Sequence, residues 1–434
     1  MKEVPRVLIA SDRSGSGKTI ISSGIMGAIG KRRSVQGFKA GPDFIDPGFH
    51  LEATGKPSIN LDLWMMGKRG VTNSLSLLSG NSLCVIEGVM GLYDGIGRKY
   101  STFELSKKTE TPIILVIDCG SMSTTAGAIV KGLVTYCHAN VKGVIFNKVG
   151  SEKHYAYCKG SLPKGVKSLG YVPYDREVDL PSRHLGLVTT EDNQHAAASL
   201  RRAAKLAEEH IDLDGVISIA ESAPPLPDAR NSYPEKSSGK LAAVAMDSAF
   251  CFYYAENIER LKRKYEVRFF SPMLNEFVEG ADFVYLGGGY PELHAKELEK
   301  AGKTRRWLRK SSYAGCRIFG ECGGLIFMSK NLIEADGKKR KMAGIFDIDI
   351  IAKRRLTLAY TELRAARRNP ISRKGSILRG HEFHSSEAVR VGESRFAFDV
   401  NMGRGIAEGK DGALSGESIG TYNHLHFSQR GFTL

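Results

Sequence analysis

Lys18 and Thr19 close a glycine- and serine-rich stretch, SDRSGSGKT, that directly follows the short apolar run VLIA. A strand, a turn of this composition and a helix in that order surround a polyphosphate with backbone N–H groups, and the lysine adds a positive charge. Asp12 occupies the place of the usual first glycine, so the front of the loop is atypical. The sequence predicts a nucleotide-binding loop whose contacts come from Ser14, Gly15, Ser16, Gly17, Lys18 and Thr19.

Several carboxylates follow predicted strands in the same half of the chain. Phosphoryl transfer needs magnesium held by hard oxygen ligands near the carboxyl ends of parallel strands. The predicted magnesium ligands are the Thr19 hydroxyl, Asp43 in KAGPDFIDPGFH and Glu87 at the end of LCVIE. Asp46 is predicted to contact the substrate, and Asp94 in GVMGLYDG is predicted to act in catalysis. Each of these carboxylates could instead be a turn former.

A second chemical centre is predicted around Cys322 in the run FGECGG, residues 319–324. A G-x-C-x-G turn between a strand and a helix exposes the nucleophile at a helix N-terminus, which favours the thiolate. Downstream, TYNHLHF supplies His424 or His426 as the base, and the spacing does not choose between them. Backbone N–H groups that could stabilise an oxyanion come from Gly288, Gly289 and Gly323.

Two further histidines lie in GHEFHSSE, at positions 381 and 384. His381 and His384 could form a metal site with His424 and His426, because imidazole is a common ligand. We favour a role for His381 and His384 in substrate contact or in structural support.

The elements that must position these residues are short apolar runs, rich in β-branched residues, that alternate with helical stretches. This pattern predicts buried parallel strands and an α/β fold. The composition of residues 221–239, ESAPPLPDARNSYPEKSSG, predicts a linker. We therefore expect a P-loop parallel-sheet domain over 1–220 and a second α/β domain over 240–434. The predicted strands are RVLIA, LCVIEG, PIILVID and VKGVIFNKV before the linker, and KLAAVAMD, YEVRFF, ADFVYLGGG and CRIFGECGG after it.

Charge and cysteine content narrow the choice of binding partners and of cellular compartment. Lys and Arg number 62 against 47 Asp and Glu, which gives a formal net charge of +15. Such a protein attracts polyanions, but no nucleic-acid-binding motif is present, so no nucleic-acid partner is expected. Seven cysteines without a C-x-x-C pair indicate a reducing compartment. No signal-peptide core and no apolar run of about 18 residues is found, so we expect a cytoplasmic protein without a membrane partner.

Eight ordered motifs carry a family resemblance that covers nearly the whole chain. The sequence resembles the a,c-diamide synthases of tetrapyrrole biosynthesis, a family that includes enzymes acting on cobyrinate, hydrogenobyrinate and nickel-sirohydrochlorin. The motifs are specific for this family and much less specific for the macrocycle. They are GSGKT, GPDFIDPGFH, EGVMGLYDG, LPSRHLGL, GGGYPE, GECGG, GHEFHSSE and YNHLHF.

The resemblance implies an ATP- and Mg²⁺-dependent ligase of two domains. The first, similar to dethiobiotin synthetase, would convert a carboxylate of the macrocycle into an acyl phosphate. The second, similar to class I glutamine amidotransferases, would release ammonia from L-glutamine at Cys322. Cobyrinate is the expected substrate, amidated at its a and c acetates on the route to cobalamin. Its many carboxylates make it a polyanion that suits a basic protein.

The resemblance also implies roles for individual residues in the second domain. Cys322 is the nucleophile, and His424 is the histidine that activates it. Ordinary triad amidotransferases carry a glutamate two residues after this histidine, where the present chain has His426. The third triad role therefore has no assigned residue.

Two alternatives are retained. The chain could amidate nickel-sirohydrochlorin in the coenzyme F430 pathway, or it could be a P-loop switch ATPase with an inactive amidotransferase-like module. An intact Cys322 turn and the acidic residues of the first half disfavour the switch. The sequence does not give the central metal, the order of the two amidations, the route of ammonia or the oligomeric state, and a homodimer is left open.

Overall fold

The chain is described by a computed structural model that covers residues 1–178, 190–229 and 239–434, with the backbone alone at 190–193 and 354. Its internal contacts divide it into two compact units, Met1–Ser232 and Tyr233–Leu434. The motif LPSRHLGL and residues 230–238 of the predicted linker lie outside the described residues. Leu226, inside the predicted linker range, exchanges two backbone hydrogen bonds with Lys2 of the first unit.

The first unit alternates strands and helices. Its strands are β1 (Arg6–Ser11), β2 (Val35–Ala40), β3 (Ile59–Leu61), β4 (Leu83–Glu87), β5 (Ile113–Asp118), β6 (Val141–Val149) and β7 (Lys167–Pro173). Its helices are α1 (Lys18–Gly30), α2 (Asp46–Thr54), α3 (Leu63–Leu78), α4 (Thr102–Thr109), α5 (Thr125–Tyr136), α6 (Glu152–Gly160), α7 (Thr190–His210) and α8 (Leu213–Glu221).

All seven strands form one parallel sheet in the order β3-β2-β4-β1-β5-β6-β7. The central strands are buried along their length, as expected for β-branched runs covered by helices on both faces. The register pairs Ile9 of β1 with Glu87 of β4, and Ser11 of β1 with Val116 of β5. The phosphate loop therefore begins beside the carboxyl ends of its two neighbouring strands, where ligands of such sheets bind.

The second unit contains more strand than helix. Its strands are β8 (Leu241–Ala245), β9 (Glu266–Phe270), β10 (Phe283–Leu286), β11 (Arg317–Glu321), β12 (Asn331–Ile333), β13 (Lys339–Lys341), β14 (Ile348–Ala365), β15 (Ile377–Val391), β16 (Arg395–Met402), β17 (Lys410–Ser415), β18 (Ser418–Thr421) and β19 (Asn423–Leu425). Its helices are α9 (Ala255–Lys264), α10 (Ala295–Lys300), α11 (Gly302–Tyr313) and α12 (Gly323–Met328).

The sheet of this unit joins a parallel half to an antiparallel half. Strands β9, β8, β10, β11 and β18 are parallel neighbours, whereas β14 to β17 form antiparallel pairs. Strand β15 pairs with β14 on one side and β19 on the other, which places His381 opposite His424. Apolar clusters cover both faces around β10 and β11. Among the described residues, no helix is both long and apolar enough to cross a bilayer.

Candidate active site

The phosphate loop ends at Gly17, whose φ of 92° leads directly into helix α1. The Lys18 ammonium donates to Ser11 Oγ at 2.8 Å and to the carbonyl of Arg13 at 3.1 Å, so it lies across the loop. Lys18 is buried, whereas Ser14 and Gly15 are exposed. The exposed part of the loop therefore lies beside a positive charge that is already positioned.

Asn147 of β6 fixes the back of this loop, and sequence analysis missed it. Its Nδ2 donates to the carbonyl of Ser16 at 3.0 Å. A Cβ added at Gly17 would lie 2.2 Å from the same Nδ2. Glycine is thus required at position 17 by close approach as well as by its φ. The available signal was an amide side chain near the end of an apolar strand, VKGVIFNKV.

The Glu87 carboxylate contacts four polar side chains. It accepts hydrogen bonds from Thr19 Oγ1 at 2.7 Å, Ser22 Oγ at 3.1 Å and Lys39 Nζ at 2.9 Å, and His50 Nε2 lies 2.7 Å away. Burial alone would raise the pKa of this carboxyl group, but Lys39, His50 and Thr19 hold it well below its ordinary value. Glu87, at the end of β4, is therefore a carboxylate that is hydrogen-bonded to the start of α1.

Lys39 is the second buried charge of this centre and was not predicted. Its Nζ lies 2.6 Å from Asp46 Oδ2 and donates to the carbonyl of Gly88 at 3.0 Å. Burial alone would lower its pKa, but Glu87 and Asp46 raise it, so Lys39 is a cation. A lysine in the otherwise buried strand VQGFKA was the sequence signal, because an unpaired lysine is almost never buried.

Asp43 and Asp94 have local roles in the structure. Asp43 Oδ1 accepts from the N–H of Ile45 at 2.7 Å, and Asp94 Oδ2 accepts from the N–H of Gly91 at 2.9 Å. Both carboxylates therefore stabilise turns, which was the alternative considered for each. Their predicted metal-binding and catalytic roles stay predictions.

The donors beside the phosphate loop fit magnesium. Among the described residues, no three His, Cys, Asp or Glu side chains form a metal-binding group. Magnesium bound to a nucleotide does not need such a group, because phosphates and water supply most of its ligands. The Thr19 hydroxyl and the Glu87 carboxylate, 2.7 Å apart at the start of α1, are hard oxygen donors of the required kind.

Cys322 lies in the turn between β11 and α12, with φ of 46° and ψ of −93°. Such a conformation is strained for a non-glycine residue and persists only where surrounding contacts impose it. One such contact is the hydrogen bond from the Cys322 N–H to the carbonyl of Thr421, at 2.7 Å. The residue is 3% exposed. The predicted strand-turn-helix arrangement is present, and the turn holds the thiol in a fixed direction.

The glycines of the predicted oxyanion region surround this turn. A Cβ added at Gly288 would lie 2.2 Å from Cε1 of His424, and one added at Gly323 would lie 3.2 Å from the backbone nitrogen of Gly289. The loop after β10, the residue after Cys322 and the ring of His424 are therefore in direct contact. The structure brings together Cys322, the candidate base His424 and the predicted oxyanion glycines, whereas the alternative base His426 lies beside Ser428 and Glu256.

Both His424 and Cys322 interact with one backbone carbonyl, that of Phe383 in β15. The Cys322 thiol donates to this oxygen at 3.5 Å, and the Phe383 backbone also acts to raise the pKa of the His424 ring, against the larger effect of burial. Burial raises the pKa of the thiol well above its ordinary value and lowers that of His424 well below. Burial therefore opposes ionisation of the thiol in this structure, and the predicted preference of the turn for a thiolate stays a prediction.

The other histidines support this centre. His381 stacks on His424 with ring centroids 5.0 Å apart, and its Nδ1 lies 3.0 Å from the Tyr254 hydroxyl. His384 stacks on Tyr422 at 4.0 Å. His426 Nδ1 lies 2.7 Å from Ser428 Oγ, and its Nε2 is 3.7 Å from Glu256. Contact with Gly288 and Phe383 therefore favours His424 as the base.

Comparison with known proteins decides the family. The profile of the CobQ/CobB/MinD/ParA nucleotide binding domain matches residues 7–188, and that of the CobB/CobQ-like glutamine amidotransferase domain matches residues 242–432. Proteins named cobyrinate a,c-diamide synthase from Saccharolobus solfataricus and Sulfurisphaera tokodaii are each 52% identical over 429 residues, which is 98% of this chain and 98% of theirs. The chain belongs to the cobyrinate a,c-diamide synthase family.

Membership of the cobyrinate a,c-diamide synthase family confirms the resemblance inferred from the eight motifs. It also confirms the predicted fold class, a parallel-sheet nucleotide-binding domain combined with a glutamine amidotransferase domain. A third relative with the same name, from Sulfolobus acidocaldarius, is 50% identical over 98% of both chains. The roles of individual residues are not tested by these similarities and stay predictions.

Proposed function

We propose that the chain is an ATP- and glutamine-dependent cobyrinate a,c-diamide synthase, which amidates the a and c acetate groups of cobyrinate in cobalamin biosynthesis. The observation that carries this proposal is 52% identity over 98% of both chains to relatives of that name. Convergence of Cys322, His424 and the oxyanion glycines in the second unit supports the use of glutamine.

In the first unit, Lys18 and the loop N–H groups bind the phosphates of ATP. The terminal phosphoryl group passes to a carboxylate oxygen of cobyrinate, which yields an acyl phosphate and ADP. Thr19 and Glu87 would hold Mg²⁺, which neutralises phosphate charge during this transfer. Lys39, paired with Glu87 and Asp46, orients the carboxylate that holds the Thr19 hydroxyl.

In the second unit, His424 accepts the proton of the Cys322 thiol, and the thiolate attacks the side-chain amide carbon of glutamine. The N–H groups of Gly288, Gly289 and Gly323 would stabilise the resulting oxyanion. Ammonia leaves with a proton returned by His424, and water then hydrolyses the thioester to glutamate. Ammonia attacks the acyl phosphate, forms the amide and releases inorganic phosphate.

Product analysis tests the choice of substrate. Cobyrinate, hydrogenobyrinate and nickel-sirohydrochlorin are supplied in parallel with ATP, magnesium and glutamine, and products are identified by mass spectrometry. We expect cobyrinate to give a product in which two carboxylates have become amides. A diamide formed only from nickel-sirohydrochlorin would transfer the proposal to that substrate, and ATP hydrolysis without glutamine hydrolysis would favour the switch ATPase.

Cys322→Ser tests the division of labour. A serine hydroxyl has a far higher pKa than a thiol, so glutamine-dependent amidation should fall by at least about 10³-fold. Amidation with ammonium salt at high pH should stay within about twofold of wild type, because carboxylate activation does not use the thiol. Cys251→Ser, which changes an exposed cysteine, is the matched control. Equal loss with both nitrogen sources in a folded protein would contradict the proposal.

Location and assembly complete the proposal. Seven cysteines without a C-x-x-C pair support a reducing compartment, and we propose the cytoplasm. A homodimer stays a prediction, which light scattering coupled to gel filtration would test.

A further inference from the structure

Glu292 ends the GGGYPE loop, which follows β10. Strand β10 pairs in parallel with β11, the strand that leads to Cys322. Hydrogen bonds from the N–H of Leu293 to Tyr290 and from the N–H of His294 to Pro291 fold the loop into a tight turn. A Cβ added at Gly323 would lie 3.2 Å from Cδ of Pro291, so this turn packs directly on the residue after the nucleophile.

The charge of Glu292 acts on the nucleophile itself. After burial, it is the strongest influence that raises the pKa of the Cys322 thiol. It also raises the pKa of Tyr422, whose ring packs on His384. The carboxylate is therefore close to both the nucleophile and the aromatic wall of the centre.

Within the described residues, no lysine, arginine or histidine forms an ion pair with Glu292, and no charged side chain acts to lower its pKa. Burial raises the pKa of Glu292 to about 7. Glu292 is partly buried, and a partly buried carboxylate without a cation is less stable than a paired one, so a ligand that supplies the cation relieves this cost.

The two other carboxylates that influence Cys322 are already satisfied. Glu321 accepts from the Tyr285 hydroxyl at 2.6 Å and from the N–H of Leu425 at 2.8 Å. Glu382 accepts from the backbone N–H groups of Arg404 and Gly405. Glu292 is thus the carboxylate of this group that retains capacity for a ligand.

We propose that Glu292 binds the α-ammonium group of L-glutamine and thereby selects the substrate of the Cys322 centre. This inference rests on the proposed glutaminase function and adds a residue that determines specificity. Glutamine carries its cation on the carbon skeleton that ends in the reacting amide. A carboxylate beside the nucleophile can therefore hold the α-ammonium while the amide lies at the thiol.

The pairing also links substrate binding to activation of the nucleophile. Glu292 opposes ionisation of Cys322 as long as its negative charge is not neutralised. An α-ammonium at Glu292 cancels this repulsion and eases proton transfer from the thiol to His424. The thiolate then forms preferentially when an amino acid is bound.

The test compares two amides that differ only in the α-amino group, L-glutamine and glutaramate. Glu292→Gln should lower kcat/KM for glutamine by at least about tenfold, mainly through KM, because a charged contact is lost. Its glutaramate hydrolysis should stay within about twofold of wild type or increase. Glu297→Gln, which removes an exposed carboxylate in α10, is the matched control, and Glu292→Asp should recover part of the glutamine preference.

Equal loss of both activities would overturn the inference, because Glu292 would then act on the thiol or on the loop alone. Unchanged kinetics with glutamine would overturn it as well.

Calorimetry with glutamine distinguishes a failure of this inference from a failure of the proposed glutaminase function. Cys322→Ala should bind glutamine, and the Cys322→Ala, Glu292→Gln double variant should bind it at least about tenfold more weakly. Binding that requires Glu292, in a wild-type protein that hydrolyses no glutamine, would contradict only the glutaminase function. Absence of binding to Cys322→Ala would contradict both.

Discussion

At the scale of single residues, the buried Glu87 carboxylate holds the side chains of Thr19, Ser22, Lys39 and His50 in place. Glu87→Gln keeps the shape but leaves Lys39 with only Asp46 as an ionic partner. Breaking a buried ion pair typically costs about 3–5 kcal/mol. The free energy of unfolding, measured by urea denaturation, should therefore decrease by a similar amount. Amidation with ammonia should fall sharply. Ser22→Ala, which removes one neutral donor to the same carboxylate, should cost about 1 kcal/mol. Equal stability of Glu87→Gln and wild type would contradict this account.

Glu321 leads to a prediction about pH. Burial raises its pKa to about 8, from an ordinary value of 4.5. The folded state therefore keeps a proton that the unfolded chain releases, and stability of the second unit should decrease as pH rises from about 4.5 to about 8. Asp411, whose pKa burial raises to about 7, acts in the same direction. Glu321→Gln should make the decrease smaller.

The two tryptophans allow this measurement. Trp64 lies in α3 of the first unit and Trp307 in α11 of the second. In a Trp64→Phe background, fluorescence during urea unfolding reports the second unit alone. The same pH slope with and without Glu321 would show that this carboxyl group does not hold a proton in the folded state.

At the residue scale, sequence patterns predicted the side chains that react better than the groups that hold them. Thr19, Glu87, Cys322 and His424 were identifiable because their types and positions fit known chemistry. The carbonyl of Phe383 was not, since every residue carries a carbonyl and only the pairing of β15 with β19 places this one. Lys39 was missed because its partners come from other elements.

The turn after β11 belongs to the scale of elements, because it exists only where strand and helix approach closely. A Cβ added at Gly324 would lie 2.2 Å from the carbonyl oxygen of Leu286 in β10. Gly324→Ala should therefore displace the turn, cost about 1–3 kcal/mol and lower glutaminase activity at least about tenfold. Ammonia-dependent amidation should be retained.

Gly302→Ala is the control for this substitution. Its added Cβ would lie 3.2 Å from the end of the flexible Arg306 side chain, which can move. We expect a stability change within about 0.5 kcal/mol and unaltered glutaminase kinetics. Equal effects of the two substitutions, measured by urea unfolding and glutamate release, would argue against a special geometry at Gly324.

Strands of the parallel sheets were predictable because burial on both faces leaves an apolar run. RVLIA, PIILVID and ADFVYLGGG correspond to β1, β5 and β10. The antiparallel half was not predicted, because β14 runs through the basic stretch AKRRLTLAY, in which Lys353, Arg355, Leu356 and Leu358 are exposed. Such a strand is specified by pairing with β15 rather than by its own pattern.

At the scale of the whole molecule, the net charge of +15 should favour encounter with a polycarboxylate. Raising KCl from about 0.05 to about 0.3 M shortens the range of this attraction, so KM for cobyrinate should rise several-fold. Glutamine has no net charge, and its KM should stay within about twofold in the same assays. A cobyrinate KM that is independent of salt would assign the excess charge to solvated surface.

The carbonyl shared by Cys322 and His424 has a consequence for chemical probes of this protein. Simple alkylating reagents need a thiolate within reach, whereas Cys322 is 3% exposed, its thiol donates a hydrogen bond to the Phe383 carbonyl, and burial raises its pKa. Small electrophiles will therefore label Cys322 slowly and give little selectivity over the six other thiols. A selective covalent inhibitor should therefore carry an amino-acid group next to its electrophile. Binding of that group would promote ionisation of Cys322, and the thiolate could then attack the electrophile.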